Sequence, residues 1–343
     1  MRPSLAMRRP ASRTPAPDPL DDLAVAFANP GALRMRTFVP RGLAAAAPLV
    51  VVLHGCTQNA AGYDHAAGWS RLATTLGFAL LFPEQVRANN ANGCFNWFEP
   101  GDVRRGGGEV ASVAAAVAAM IAANKLDAGR VFVTGLSAGG AMANALLATY
   151  PDVFAGGAII AGLPFGTAHN VGEALGAMAH PVPQSGSALG DLVRGASFFT
   201  GPWPRVMVWH GTADRTVVAD NGRQIAAQWA SVHGAVSVPG NEIWRDAAGT
   251  TVVELIEIPG MGHGTPIDSL NGGIAAPFML DVGIASSARI AEFWGLGTAS
   301  KAVLAESASR HPAAPPPRRD HAPAKIDVGR IVGDALRAAG LMK

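Results

Sequence analysis

"VFVTGLSAGGAMANALL", residues 131–147, sets one serine among glycines, with an apolar run before it and a small-residue run after it. Gly135, Gly139 and Gly140 crowd around Ser137. Glycine at this density marks a backbone bend that a Cβ would block. The run before the bend reads as a strand and the run after it as a helix. The turn therefore either holds up a nucleophile or merely links the two elements, with the serine capping the helix.

Working outward, "PLVVVLHG" (48–55), "FALLFPE" (78–84), "AGGAIIAG" (155–162), "RVMVWHG" (205–211) and "TVVELIEIPG" (251–260) join "RVFVTG" (130–135) as short apolar runs bounded by turn residues. Helix-like segments at 65–76, 109–124, 137–149, 221–233 and 286–294 lie between or after them. Strands alternating with helices predict an α/β fold with a mostly parallel sheet and helices on both faces. "VVVL" is apolar without alternation, as a strand buried on both sides requires. Residues 163–203 break the rhythm with Gly, Pro, Ser and scattered helical turns, and read as an insertion over one end of the sheet.

The chain of 343 residues is 49% hydrophobic and 15% charged, far from a disordered composition. No apolar run approaches the ~20 residues of a membrane span. The formal net charge is +2, with basic flanks around an acidic middle. A nucleic-acid-binding domain would concentrate positive charge on its folded part, so nucleic acid is not an expected partner. No P-loop, HExxH or Rossmann fingerprint occurs, so neither a cofactor nor a metal is implied.

Ligands of an open parallel α/β sheet bind beyond the carboxyl ends of the strands. The polar residues just past those ends are His54 and Cys56, Ser137, His210 and Asp214, and His263. A serine hydroxyl needs a base to take its proton, and the base needs an acid to hold its tautomer. Ser137, Asp214 and His263 follow the Ser…Asp…His order of α/β-hydrolases, each on a loop after a different strand. Asp220 is the rival acid, expected instead to cap the helix at 221. His54 and His210 are expected to bond loop backbone near the site. Cys56 sits on the loop that supplies one oxyanion-hole N–H in this fold, and Ala138 would supply the other. Trp97, Phe98, Phe165 and Phe278 follow strand ends or the His263 loop, and are the expected walls of an acyl pocket.

"LHGCTQNAAGYD", "FALLFPEQVRANNANGCFNWFEPGD", "GLSAGGAMANALLATYPDVFAGGAIIAGLPFG", "VWHGTADRTV", "GMGHGTP" and "PFMLDVGIASS" together resemble the poly(3-hydroxybutyrate) depolymerase family of esterases over roughly residues 35–296. The resemblance implies an α/β-hydrolase that cleaves short-chain polyhydroxyalkanoates or their oligomers. It maps nucleophile, acid and base onto Ser137, Asp214 and His263, and the oxyanion donors onto Cys56 and Ala138. It further implies a Cys56–Cys94 disulfide; two reduced cysteines are the alternative in a cytoplasmic protein. The same family admits feruloyl or acetyl-xylan esterase activity. An inert, granule-binding hydrolase fold is the alternative of another class. Thr167 stands where relatives often carry a further cysteine.

The expected organisation is a flexible basic segment at 1–33, a catalytic domain at 34–296, a Pro-rich linker at 297–324 and an amphipathic helix at 325–343. In that helix Ile326, Ile331 and Leu336 make an apolar stripe, offered as a polymer-surface contact. The stretch after 296 is too short for a separate polymer-binding domain. Family and cysteine pair point to an extracellular enzyme, whereas the absence of a readable signal peptide points to the cytoplasm.

Overall fold

The structure, a computed structural model, describes residues 18–296. The expected linker, the C-terminal amphipathic segment and the polymer contact assigned to it lie outside the described residues, as do residues 1–17.

Ten strands build one sheet: β1 (Asp21–Asp22), β2 (Arg34–Phe38), β3 (Leu49–Leu53), β4 (Ala79–Glu84), β5 (Val131–Leu136), β6 (Gly156–Ile160), β7 (Arg205–Gly211), β8 (Val236–Ser237), β9 (Ile243–Arg245) and β10 (Thr251–Ile258). Their order is β1-β2-β4-β3-β5-β6-β7-β10-β9-β8. The six strands from β4 to β10 in that order run parallel. The outer strands attach antiparallel. β11 (Thr265–Ile267) and β12 (Met279–Asp281) pair separately. The sheet already begins ahead of residue 34: Leu20 is buried, and Asp21 and Asp22 pair with Thr37 and Arg36.

The helices are α1 (Ala60–Ala67), α2 (Trp69–Leu76), α3 (Gly108–Asn124), α4 (Ala138–Thr149), α5 (Val171–Ala179), α6 (Gly186–Arg194), α7 (Asp220–His233) and α8 (Ser286–Phe293). Side chains of α1, α2 and α8 join one buried cluster, and those of α3, α4, α6 and α7 the other. Along β3, Leu49, Val51 and Leu53 belong to the second cluster while Val50 and Val52 belong to the first. Both faces of that strand are core, which is why its sequence does not alternate. The helix expected over 65–76 is two helices, broken at Gly68, whose φ of 76° ends α1 in the left-handed region.

Parallel strands all end at one edge. Leu53 pairs with Gly135, Leu136 with Ile160, and Gly211 with Ile258, so the loops after β3, β5, β7 and β10 emerge side by side.

Candidate active site

Ser137 lies between β5 and α4 with φ 57° and ψ −118°. A non-glycine residue adopts such angles only where its surroundings impose them. Here its N–H donates to the Ile160 carbonyl at 2.8 Å, and its own carbonyl accepts from Ala141 at 2.8 Å. A Cβ at Gly139 would stand 2.4 Å from the His54 carbonyl oxygen, so the close approach of α4 to the β3 loop requires glycine. Ala138 opens α4, and its N–H is among the four without an intrahelical acceptor.

The loops after β7 and β10 are stitched together. Thr212 N–H donates to Ile258 O and Ala213 N–H to Met261 O, both at 3.0 Å. A Cβ at Gly211 would fall 2.3 Å from Met261 O. This seam brings Asp214 to His263: His263 Nδ1 lies 2.7 Å from Asp214 Oδ2. The carboxylate requires the proton on Nδ1, which leaves Nε2 with a free lone pair. Asp214 Oδ1 accepts the Thr216 and Val217 N–H groups at 2.8 and 2.9 Å. Burial pushes the Asp214 carboxyl up, but bonds from His210, His263 and the Val217 N–H outweigh it and hold it well below the usual carboxylate range. The acid therefore stays ionised throughout the neutral range.

Ser137, His263, Cys56 and Phe278 line one small cleft, whose wall Leu136, Met178 and Thr216 extend. The Phe278 ring stands edge-on to His263, centroids 6.1 Å apart. The other three aromatics expected there are elsewhere. Trp97 is 8% exposed in the core cluster and meets Phe98 edge-on at 5.5 Å. Phe98 and Phe165 pack against the same cluster. Phe165 is turned onto the body because Gln228 binds both its N–H and its carbonyl at 3.0 Å. Met178, from α5 of the insertion, takes the place in the cleft wall. No motif marks it in the sequence; only the packing of the insertion brings it there.

Cys56 and Cys94 form a disulfide that joins the loop after β3 to the loop after β4. Thr57 N–H donates to Asn92 O at 2.8 Å beside it. The bond closes a span of 38 residues, worth about 3–4 kcal/mol in the chain-entropy model. Cys94→Ala is expected to lose about that much stability in urea unfolding while keeping most activity, since the Thr57–Asn92 bond still places Cys56. An unchanged unfolding midpoint would show that the bridge adds nothing.

The Cys94 loop is also pinned on Glu109, which accepts Asn96 N–H at 3.0 Å, Asn96 Nδ2 at 2.9 Å and Gln85 Nε2 at 2.5 Å. Burial dominates and, despite these donors, pushes the Glu109 carboxyl up from 4.5 to about 8. The folded chain then binds the extra proton between those values, so Glu109's contribution is full below pH 4.5 and lost as pH rises to about 8. Glu109→Gln is expected to flatten this part of the stability profile in urea melts run across that range. Parallel profiles for the two proteins would contradict it.

His54 Nδ1 donates to Gly55 O at 2.8 Å and its Nε2 accepts Gln85 N–H at 3.1 Å; burial lowers its pKa and keeps the ring neutral. His210 Nε2 donates to Val217 O at 2.8 Å and lies 3.5 Å from Asp214 Oδ2, so it braces the acid as well as the loop. Asp220 is the first residue of α7 rather than its cap, which is Ala219, and it pairs with Arg223 on the surface. Among the described residues no cluster of three or more His, Cys, Asp or Glu could hold a metal, and no helix is long and apolar enough to cross a membrane.

A family model described as esterase PHB depolymerase matches residues 33–254. Poly(3-hydroxyalkanoate) depolymerase C of Paucimonas lemoignei is 45% identical over 282 residues, covering 78% of this chain and 68% of that protein. Feruloyl esterase B of Talaromyces funiculosus is 30% identical over 257 residues, covering 70% and 71%. The solved acetyl xylan esterase from Aspergillus awamori superposes with a TM-score of 0.69 at 24% identity, covering 81% of this chain and 99% of that one, which shows the shared fold. With the family model spanning most of the sheet and a relative this similar, the chain belongs to the esterase PHB depolymerase family, carboxylic ester hydrolases on the α/β-hydrolase fold.

Proposed function

We propose that the protein is a serine esterase that hydrolyses ester bonds of short-chain polyhydroxyalkanoates, poly(3-hydroxybutyrate) or its oligomers. The observation that carries this reading is the Asp214–His263 pair sharing one cleft with Ser137, in a chain 45% identical to a poly(3-hydroxyalkanoate) depolymerase.

Ser137 Oγ attacks the ester carbonyl while His263 Nε2 takes its proton. The Cys56 and Ala138 N–H groups hold the negative carbonyl oxygen of the tetrahedral intermediate. His263 then gives the proton to the departing alkoxide, which leaves as the hydroxyl end of the shortened chain. Water, deprotonated by the same imidazole, cleaves the acyl-enzyme and releases the acid. Asp214 stays ionised and steadies the imidazolium in both halves.

Phe278 bounds the acyl site on the His263 side, and the flexible Met178 side chain bounds it on the α5 side. The disulfide supports action outside the cytoplasm, where such bonds persist. The 30% identity to a feruloyl esterase favours one second reading. A kcat/KM for hydroxybutyrate trimer above that for methyl ferulate is the expected result; the reverse order would replace the first reading with the second.

A further inference from the structure

The walls of the cleft that holds Ser137 and His263 differ in how firmly the fold holds them. Cys56 is tied down by its disulfide, and Thr216 gives its N–H to Asp214 Oδ1 at 2.8 Å. Leu136 ends β5 with 1% of its surface exposed. Phe278 is buried in the cluster that α1, α2 and α8 share, and its carbonyl accepts Thr265 N–H at 2.7 Å. Core packing thus fixes two of the apolar walls, Leu136 and Phe278.

Met178 is held differently. It is the residue that the 163–203 insertion contributes to the lining. Its backbone is anchored: the Met178 carbonyl accepts Val218 N–H at 3.0 Å, and the Ala177 carbonyl accepts Asn221 Nδ2 at 3.0 Å. Val218 follows Val217, whose own N–H binds Asp214 Oδ1 at 2.9 Å. The backbone of Met178 is therefore registered against the loop that carries Asp214. Its side chain, by contrast, is only half-buried, and it is unbranched and flexible. An anchored backbone with an adaptable side chain makes this the adjustable wall.

Leu136, Met178 and Phe278 make the lining largely apolar, which suits the alkyl part of an ester. Where two apolar walls are fixed and the third is not, the third decides how long an alkyl chain fits. We propose that Met178 is the specificity-determining residue of the acyl site, its side chain restricting the accepted acyl group to short chains such as butyryl. This rests on the esterase reading given above and adds which residue draws the short-chain limit.

Two ester series on the full-length protein test it. The first varies the acyl group on one alcohol: p-nitrophenyl butyrate, hexanoate and octanoate. The second varies the alcohol on one acyl group: methyl and hexyl butyrate. A ratio of kcat/KM values measured on one preparation does not depend on how much of a variant is folded, so a destabilised variant still answers. Alanine and methionine are both good helix formers, which preserves α5 in Met178→Ala. That variant is expected to raise the octanoate-to-butyrate ratio by at least about tenfold, the scale of a methylene's worth of room in an apolar pocket. Met178→Phe is expected to lower the hexanoate-to-butyrate ratio, and both variants should leave the hexyl-to-methyl ratio unchanged. An octanoate ratio that Met178→Ala does not move, or a shift confined to the alcohol series, overturns the assignment. Hydroxybutyrate-trimer hydrolysis by the unsubstituted enzyme is scored separately. Its absence, with the acyl ratio moved by Met178→Ala, rejects the polyester substrate and leaves the length limit at Met178 standing.

Discussion

Replacing Ser137 with alanine is expected to cut hydrolysis of p-nitrophenyl butyrate by about 10⁴–10⁶-fold in kcat, with KM little changed. Losses of this order follow when a nucleophile that works as a unit with its base is removed, because the remaining rate comes from the oxyanion donors and binding alone. Ser137→Gly should lose the same activity yet unfold later. The φ of 57° strains any residue with a Cβ, and glycine relieves about 1 kcal/mol of that strain. Steady-state kinetics and a thermal melt on the two variants check both halves. Residual activity within tenfold of the parent would remove Ser137 as nucleophile, whereas no ester hydrolysis by the parent itself would revive the inert, granule-binding reading.

Asp214→Asn is the second large effect, at about 10⁴-fold in kcat. The Thr216 and Val217 N–H groups select the asparagine carbonyl oxygen at the Oδ1 position. The amide NH₂ must then face His263, where the parent has an acceptor at 2.7 Å. A donor there forces the imidazole proton onto Nε2, the atom that has to receive the serine proton. Raising the pH cannot restore the lost tautomer, so the deficit should persist across the alkaline limb of the pH–rate profile. Recovery of activity at high pH would show that Asp214 acts only by its charge.

The six strands of the parallel sheet were legible because each is an apolar run closed by turn residues. The residues proposed as the triad stand out for a related reason: Ser137 comes at once after β5, and Asp214 and His263 lie on the short loops that follow β7 and β10, so strand and candidate chemistry are read together. β2 was not legible. Its sequence RMRTF puts arginines at the first and third positions, and Arg36 is buried beside Asp18, which an apolar-run reading cannot anticipate. The break between α1 and α2 hangs on one residue, Gly68. Met178 was illegible for a longer-range cause. The start of the insertion is docked by Asn144 and Gln228, which bond each other and the backbone at Leu163 and Phe165 across 19 to 84 residues of sequence. Trp97 stands in the core cluster rather than in the lining of the cleft for the same kind of cause, since its loop folds down onto Glu109 through Asn96. Local pattern finds where chemistry begins; contacts distant in sequence decide what walls surround it.

All twelve residues of α4 are buried, and its glycines abut backbone carbonyls of two neighbouring strand ends. An engineer who wants a different substrate range has no purchase there, because no position on that helix faces outward and an added methyl at Gly139 meets a carbonyl. Room for change lies in the 163–203 segment, which reaches the cleft through a single methionine and is largely open to solvent elsewhere. The molecule is thus divided between an engine block that admits no retooling and an exchangeable visor. Libraries confined to the visor should diversify what the enzyme accepts while leaving how it cuts untouched.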